Sequence, residues 1–267
     1  MNSSVWATGR SGTIGKNLPE QVKDLHLRFT DKGEIAGHIP DLSGATLIHL
    51  AAKVGHIGGS SDEIAWNINV KGTLKLAKLA IDSNADAFIF VSSSHVYAPS
   101  AKSHVETENL APISYYGEQK ASAEQELTNL FQGSLTRLVI ARVFSVLDFG
   151  MNPNTLGGRI ERAIQSGSDE VIPTAQDARD FLTPHTVAQV LVELAQKDSI
   201  AGVFNICSGT ALTLSEATLR MIEQSTEARI PKFIEEHSAV PIIVGDPAKL
   251  IHAGIKTELV WDLFSKK

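Results

Sequence analysis

The stretch Ser4-Val5-Trp6-Ala7-Thr8-Gly9-Arg10-Ser11-Gly12-Thr13-Ile14-Gly15 decides the fold. Ser4–Thr8 is a brief apolar run of the kind that forms a buried strand, and it ends in a glycine-rich turn that should open the first helix. In that setting each glycine has a reason. Gly9 permits the tight turn, Gly12 lets backbone approach a pyrophosphate, and Gly15 lets helix and strand pack closely, while the helix N-terminus favours negative charge. Gly9, Arg10, Ser11, Gly12, Thr13, Ile14 and Gly15 are therefore expected to hold a dinucleotide, the alternative being a glycine turn without a ligand. The spacing departs from Gly-x-Gly-x-x-Gly and lacks a P-loop lysine, which disfavours a nucleoside triphosphate.

Outward from this turn, short apolar runs at Leu25–Phe29, Thr46–Leu50, Phe88–Val91 and Thr136–Ala141 alternate with helical spacing at Ile64–Ile81 and Ser114–Phe131. Brief apolar runs bounded by turn residues read as strands buried on both faces, and their alternation with helices reads as βαβ units. The expected fold class is α/β, a Rossmann-type doubly wound parallel sheet with a small C-terminal substrate-binding lobe. Residues 1–150 are assigned to the dinucleotide-binding domain, with segments near 180–210 returning to it, and residues 151–267 mainly to the smaller lobe. In the second half, helices are expected near Arg159–Gln165, Thr186–Lys197 and Ser215–Glu223, with a strand at Val203–Cys207.

The composition has the ordinary balance of a soluble globular protein. Among 267 residues 43% are hydrophobic and 20% charged, and 24 Lys and Arg against 30 Asp and Glu give a net charge of −6. No dense basic run is present to neutralise a phosphate backbone, so nucleic acid is not an expected partner. No run approaches the ~18 apolar residues of a membrane span, and the start has no signal-peptide pattern. The single cysteine, Cys207, excludes an internal disulfide framework. A cytoplasmic location is expected.

The end of the second strand bears on the cofactor, because an acid there holds a ribose 2′-hydroxyl whereas a basic residue suits a 2′-phosphate. If the strand stops near Leu27, Arg28 meets the adenosine ribose and Arg10 reaches the same place, which favours NADP(H). If it runs on to Asp31, NAD(H) is the reading.

Chemistry is expected from Tyr116 and Lys120, four residues apart and so on one face of a helix. A phenol of pKa about 10 exchanges protons poorly at neutral pH unless a cation stabilises the phenolate, and Lys120 supplies one. Tyr115 points elsewhere on such a helix. Val91-Ser92-Ser93-Ser94-His95-Val96-Tyr97 ends the fourth strand, on the side where open α/β sheets bind ligands, so its hydroxyls are placed to orient a substrate oxygen. No metal ligand set is evident.

Glycine turn, serine cluster and Tyr-x-x-x-Lys, in that chain order, resemble the extended short-chain dehydrogenase/reductase family, within it the NAD(P)-dependent nucleotide-sugar epimerase, dehydratase and reductase group. The resemblance runs on through His49–Ala52, Asn69–Thr73, Arg179–Leu182, Phe204–Gly209 and Asp246–Leu250. It implies that Ser93 hydrogen-bonds the reacting oxygen, that Tyr116 is the acid/base, and that Lys120 both tunes Tyr116 and contacts the nicotinamide ribose. It further implies that Leu50, Ala51, Ala52, Val91 and Val143 line the cofactor and that Arg179 reaches the nucleotide or phosphate of the substrate, unless Arg179 forms a structural salt bridge with Asp180. A homodimer is implied as well.

Two departures narrow the activity. Ser94 and His95 stand where 4,6-dehydratases of this family carry an acidic pair, which disfavours dehydration. Ala51–Ile57 resembles GDP-fucose synthase, an NADPH-dependent epimerase-reductase, but no histidine is found around Asn152–Leu156 to act as its second acid. Ser94 and His95 are assigned to the substrate, His95 either as a ligand or, since imidazole titrates near neutrality, as an acid/base. The leading expectation is a 4-ketoreductase acting on a nucleotide-activated sugar. Alternatives are a 4-epimerase, a reductase of a non-nucleotide carbonyl compound, and a non-catalytic dinucleotide sensor.

Overall fold

The computed structural model describes residues 4–53, 63–153, 155–166, 171–172, 177–223, 229–233 and 242–255. Its centre is a six-stranded, wholly parallel sheet. Across the sheet the strands run Gly202–Ile206, Arg137–Val143, Ala87–Ser93, Thr46–His49, Val5–Thr8 and Lys23–Asp24. Every residue of Ala87–Ser93 is buried, as an apolar strand covered on both faces must be. Phe88 and Phe90 pack with Leu76, Ala80, Ala123 and Leu127 from the helices Thr73–Asp82 and Tyr115–Leu130. Ile89 and Val91 face the other way, against Val187, Leu191 and Leu194 of the helix Pro184–Ala195. Helices on both faces of a parallel sheet make the fold doubly wound, as expected.

The second strand departs from expectation. The strand expected over Leu25–Phe29 falls instead in two short pieces, one just before the run and one at its end. Lys23–Asp24 joins the parallel sheet, Leu25 N–H still bonds Ala7 O, and His26 then turns to φ 47, which ends the strand because a left-handed residue cannot continue the ladder. Arg28–Phe29 pairs instead with Ile35–Ala36 as a separate antiparallel hairpin. The first helix is likewise reduced: after the glycine turn there is only a 3-10 helix at Gly15–Asn17.

The segment expected as a helix over Ile64–Ile81 is helical throughout, as α Glu63–Trp66, π Asn67–Gly72 and α Thr73–Asp82. Beyond the central sheet, Ala178–Leu182 pairs with Ala211–Thr213, Ile242–Ile243 and Ser145–Val146 in a smaller sheet. The helices Leu156–Ser166 and Leu214–Ile222 bury Ile160, Ile164, Ala217 and Met221 around Phe181 and Leu212. Leu214–Ile222 starts with a capping box between Thr213 and Glu216. This second core stands beyond the carboxyl ends of the central strands, where ligands of such sheets bind.

Candidate active site

The glycine turn is closely packed. Gly9 sits at φ +72, and a Cβ there would lie 2.8 Å from Ala51 N, while one on Gly15 would lie 2.1 Å from Gly9 O. Side chains at either position would push the turn away from the strand end. Gly12 N–H bonds Gly9 O and Lys16 N–H bonds Gly12 O, so the turn winds once and stops. With so short a helix behind it, the macrodipole expected to hold the pyrophosphate is small. The backbone N–H groups of the turn remain as the donors. Arg10, expected to reach a 2′-phosphate, directs Nη1 at Leu18 O (3.1 Å) and Pro19 O (3.2 Å). Arg28 lies exposed in its hairpin.

From the turn a hydrogen-bond relay crosses the site. Thr8 Oγ1 lies 2.8 Å from His49 Nδ1, and His49 Nε2 lies 2.9 Å from Thr73 Oγ1. Burial holds His49 down to about 3, so its imidazole stays neutral. Thr73 Oγ1 donates to Asn69 O, and Asn69 Nδ2 donates to Lys53 O (2.8 Å) and Gln119 Oε1 (2.6 Å). The π segment, a rarity that tends to occur at functional sites, puts Asn69 between the loop after the third strand and the helix Tyr115–Leu130.

That helix begins with Ser114, whose Oγ accepts from Gly117 N–H at 3.1 Å. It lies so close to the turn Ser94–Val96 that a Cβ on Gly117 would stand 2.2 Å from His95 O. The close approach brings the His95 and Tyr116 rings to 5.8 Å in an edge-on arrangement. Lys120 Nζ stands 5.8 Å from the Tyr116 ring centre and 4.6 Å from that of Phe90, donating to Val91 O at 2.8 Å. Desolvation pushes the Tyr116 phenol up to about 12 and brings the Lys120 ammonium down to about 8, against a raising influence of Glu124. Ser93 Oγ accepts from His95 N–H at 3.2 Å. Burial and then the charge of Arg179 hold His95 below its usual value.

Ser93, His95, Tyr116 and Lys120 are thus gathered at one strand end, and Arg179 acts electrostatically on the same place. The alternative ion pair between Arg179 and Asp180 is not formed. Arg179 faces Asp177 at 4.0 Å, whereas Asp180 accepts from Ser208 N–H and Oγ, both at 2.7 Å, and from Gly209 N–H at 2.8 Å. Leu50, Ala51 and Ala52 follow the third strand beside the turn, and Val91 and Val143 occupy neighbouring strands at the same end. Val54–Ile57 of the stretch resembling GDP-fucose synthase lie outside the described residues. Among the described residues no group of three His, Cys, Asp or Glu side chains could hold a metal ion, and no helix is long and apolar enough to cross a membrane.

Residues 5–207 match the model of the NAD dependent epimerase/dehydratase family. The chain belongs to that family. Among its relatives are UDP-glucose 4-epimerases from Rhizobium leguminosarum bv. trifolii, 32% identical over 80% of this chain and 70% of that one, and from Vibrio cholerae, 30% identical over 58% and 55%. The match therefore spans little more than half of the Vibrio enzyme. In fold the chain is similar to UDP-N-acetylglucosamine 4-epimerase from Methanobrevibacter ruminantium M1, solved with UDP-N-acetylmuramic acid, at a TM-score of 0.78 and 22% identity over 99% and 95% of the two chains. The close packing around Gly9 and Gly15 leaves no room for a side chain at either position of the turn.

Asn69 stood in a stretch that carried the resemblance, without a role, and the sequence pattern did not disclose Gln119, Glu124 or Arg142 as parts of the site's surroundings. The one signal available was a buried-type strand, Arg137–Val143, carrying an arginine at position 142.

Proposed function

We propose that the chain is a nucleotide-sugar 4-epimerase that uses NAD. The observation that carries this reading is the pairing of Tyr116 with Lys120 beside Ser93 and a neutral His95, with no second acid among them, which suits proton and hydride exchange at one carbon and does not suit dehydration. The kinship with UDP-glucose 4-epimerases supports it. The nicotinamide, when bound, supplies the acceptor and donor of hydride. Tyr116 exchanges the proton of the sugar 4-hydroxyl, and Ser93 Oγ hydrogen-bonds the same oxygen. A phenol held near 12 is scarcely ionised at neutral pH, and the Lys120 ammonium near its ring lowers the cost of the phenolate. Arg179 and His95 face the substrate, Arg179 through a phosphate oxygen.

A second reading, 4-ketoreduction with NADPH, rests on Arg28. The commitment of Arg10 to the carbonyls of Leu18 and Pro19 leaves Arg28 without the companion guanidinium that a 2′-phosphate clasp was expected to have. The deciding experiment incubates the protein with NAD and UDP-glucose, UDP-galactose and their N-acetylated counterparts, following products by chromatography. Interconversion of 4-epimers without net change in cofactor supports the epimerase. Consumption of NADPH with nucleotide 4-keto sugars, and no interconversion, replaces it with the reductase.

A further inference from the structure

Behind the Tyr116–Lys120 pair lies a row of buried polar groups that the proposed chemistry does not use. Glu124 is one helical turn beyond Lys120 and is buried, at 3% exposure. Its Oε1 accepts from Ser92 Oγ at 2.5 Å, and its carboxylate takes Arg142 Nε at 3.0 Å and Nη2 at 2.7 Å. Ser92 and Arg142 are register partners on adjacent parallel strands, and Asn205 is the partner of Arg142 on the next. The row closes at its far end, where Arg142 Nη1 donates to Tyr97 Oη (2.6 Å) and Tyr97 Oη to Asn205 Oδ1 (2.8 Å).

A buried Glu–Arg pair is costly to desolvate, and apolar residues of similar volume commonly give equal or greater stability. Stability alone therefore does not account for a charged pair in the middle of a sheet face. Its position does. Ser92 immediately precedes Ser93, and Glu124 shares a helix face with Lys120 and Tyr116. We propose that Glu124 is a positioning residue for the reaction: gripped by Ser92 and Arg142, it locks the Tyr116–Lys120 helix to the strand end carrying Ser93, and its negative charge keeps Lys120 an ammonium.

The groups around Lys120 allow this charge to act. Tyr116 and Glu124 face it from its own helix, and His49 from the strand Thr46–His49. His49 is neutral across the working range and Tyr116 stays protonated well above it. Glu124 is then the acidic side chain facing Lys120 from its own helix, with Arg142 on the other side of its carboxylate. The role in catalysis rests on the proposed function, but the electrostatic part can be read without turnover.

The test follows Lys120 by NMR of lysine ε-carbons in isotope-labelled protein, assigned with Lys120→Met, in wild type, in Glu124→Gln and in Glu124→Gln/Arg142→Met. The double variant removes the carboxylate together with its guanidinium partner, so no buried Arg142 is stranded and the test stays readable if the single variant fails to fold. The expected result is a titration midpoint for Lys120 lower by about one pH unit in Glu124→Gln and lowered by less in the double variant, where the more distant Arg142 cation is lost as well, with the alkaline limb of any epimerase activity lowered with it. Glu124→Asp keeps the charge and should recover most of the midpoint. A Lys120 midpoint unchanged in a folded variant overturns the proposal, whether or not the protein turns over UDP-hexoses. Absence of epimerase activity with a lowered midpoint would instead count against the proposed function alone.

Discussion

Replacing Lys120 by Met should remove a pH-dependent part of the stability whose size follows from the site. The amine is 3% exposed and releases its proton near pH 8 in the folded protein, against an ordinary lysine value of 10.5. Between those values the unfolded chain binds more protons than the folded one, so stability rises with pH. Integrating the single titration from pH 7 to pH 9.5 gives a gain of about 2 kcal/mol for wild type. Met has a similar length and no proton to lose, so the variant lacks that gain. Tyr116 contributes with the opposite sign only above its ordinary value of 10.0, which sets the upper end of the window. Urea unfolding of both proteins at several pH values, ligand-free, supplies the difference, in which the other titrating groups cancel. Wild-type stability is expected to rise by about 2 kcal/mol relative to the variant across the window. A difference that stays flat would show that Lys120 is not held in a dry site and would remove the basis for its role beside Tyr116.

Tyr116→Phe keeps the ring that packs against His95 and removes only the hydroxyl, so dinucleotide affinity by fluorescence titration should persist while kcat falls by about 10²–10⁴. Undiminished turnover would rule Tyr116 out as the acid/base. His95→Asn should raise KM and leave kcat within about tenfold, since a neutral imidazole bonded to its surroundings binds rather than transfers a proton. A kcat loss at constant KM would make it the missing second acid. Arg28→Ala should weaken NADPH and NADH alike if NAD is the cofactor, whereas a loss confined to NADPH, of about 1.5–3 kcal/mol in binding, would restore the 2′-phosphate clasp.

The features legible in the sequence are those that depend on near neighbours along the chain. Gly9 and Gly15 carry their reason within one turn, and Tyr116 and Lys120 share a face by helical spacing alone. The apolar strands could be read because burial on both faces leaves little choice of residue, although the ends at Ser93 and Val143 fell later than the apolar runs suggested. Leu25–Phe29 shows the limit of such reading: alternation reports extended chain and not the sheet it joins, and the turn at His26 divides it. Arg10 illustrates another, for its carbonyl partners exist only because the first helix shrinks to a 3-10 turn and brings residues 18 and 19 back. Arg179 beside Asp180 suggested an ion pair, yet neighbours on a strand point to opposite faces. The Glu124–Arg142 pair was legible only as a charge placed where burial was expected, since what joins the two is strand register.

The most direct test of the proposed chemistry uses UDP-glucose deuterated at C4 in ordinary water with bound NAD. If Tyr116, Lys120 and Ser93 promote hydride transfer from C4 and its return to the other face, UDP-galactose should form with the deuterium still at C4. Galactose that has lost its deuterium to solvent, or no conversion at all, would contradict the account.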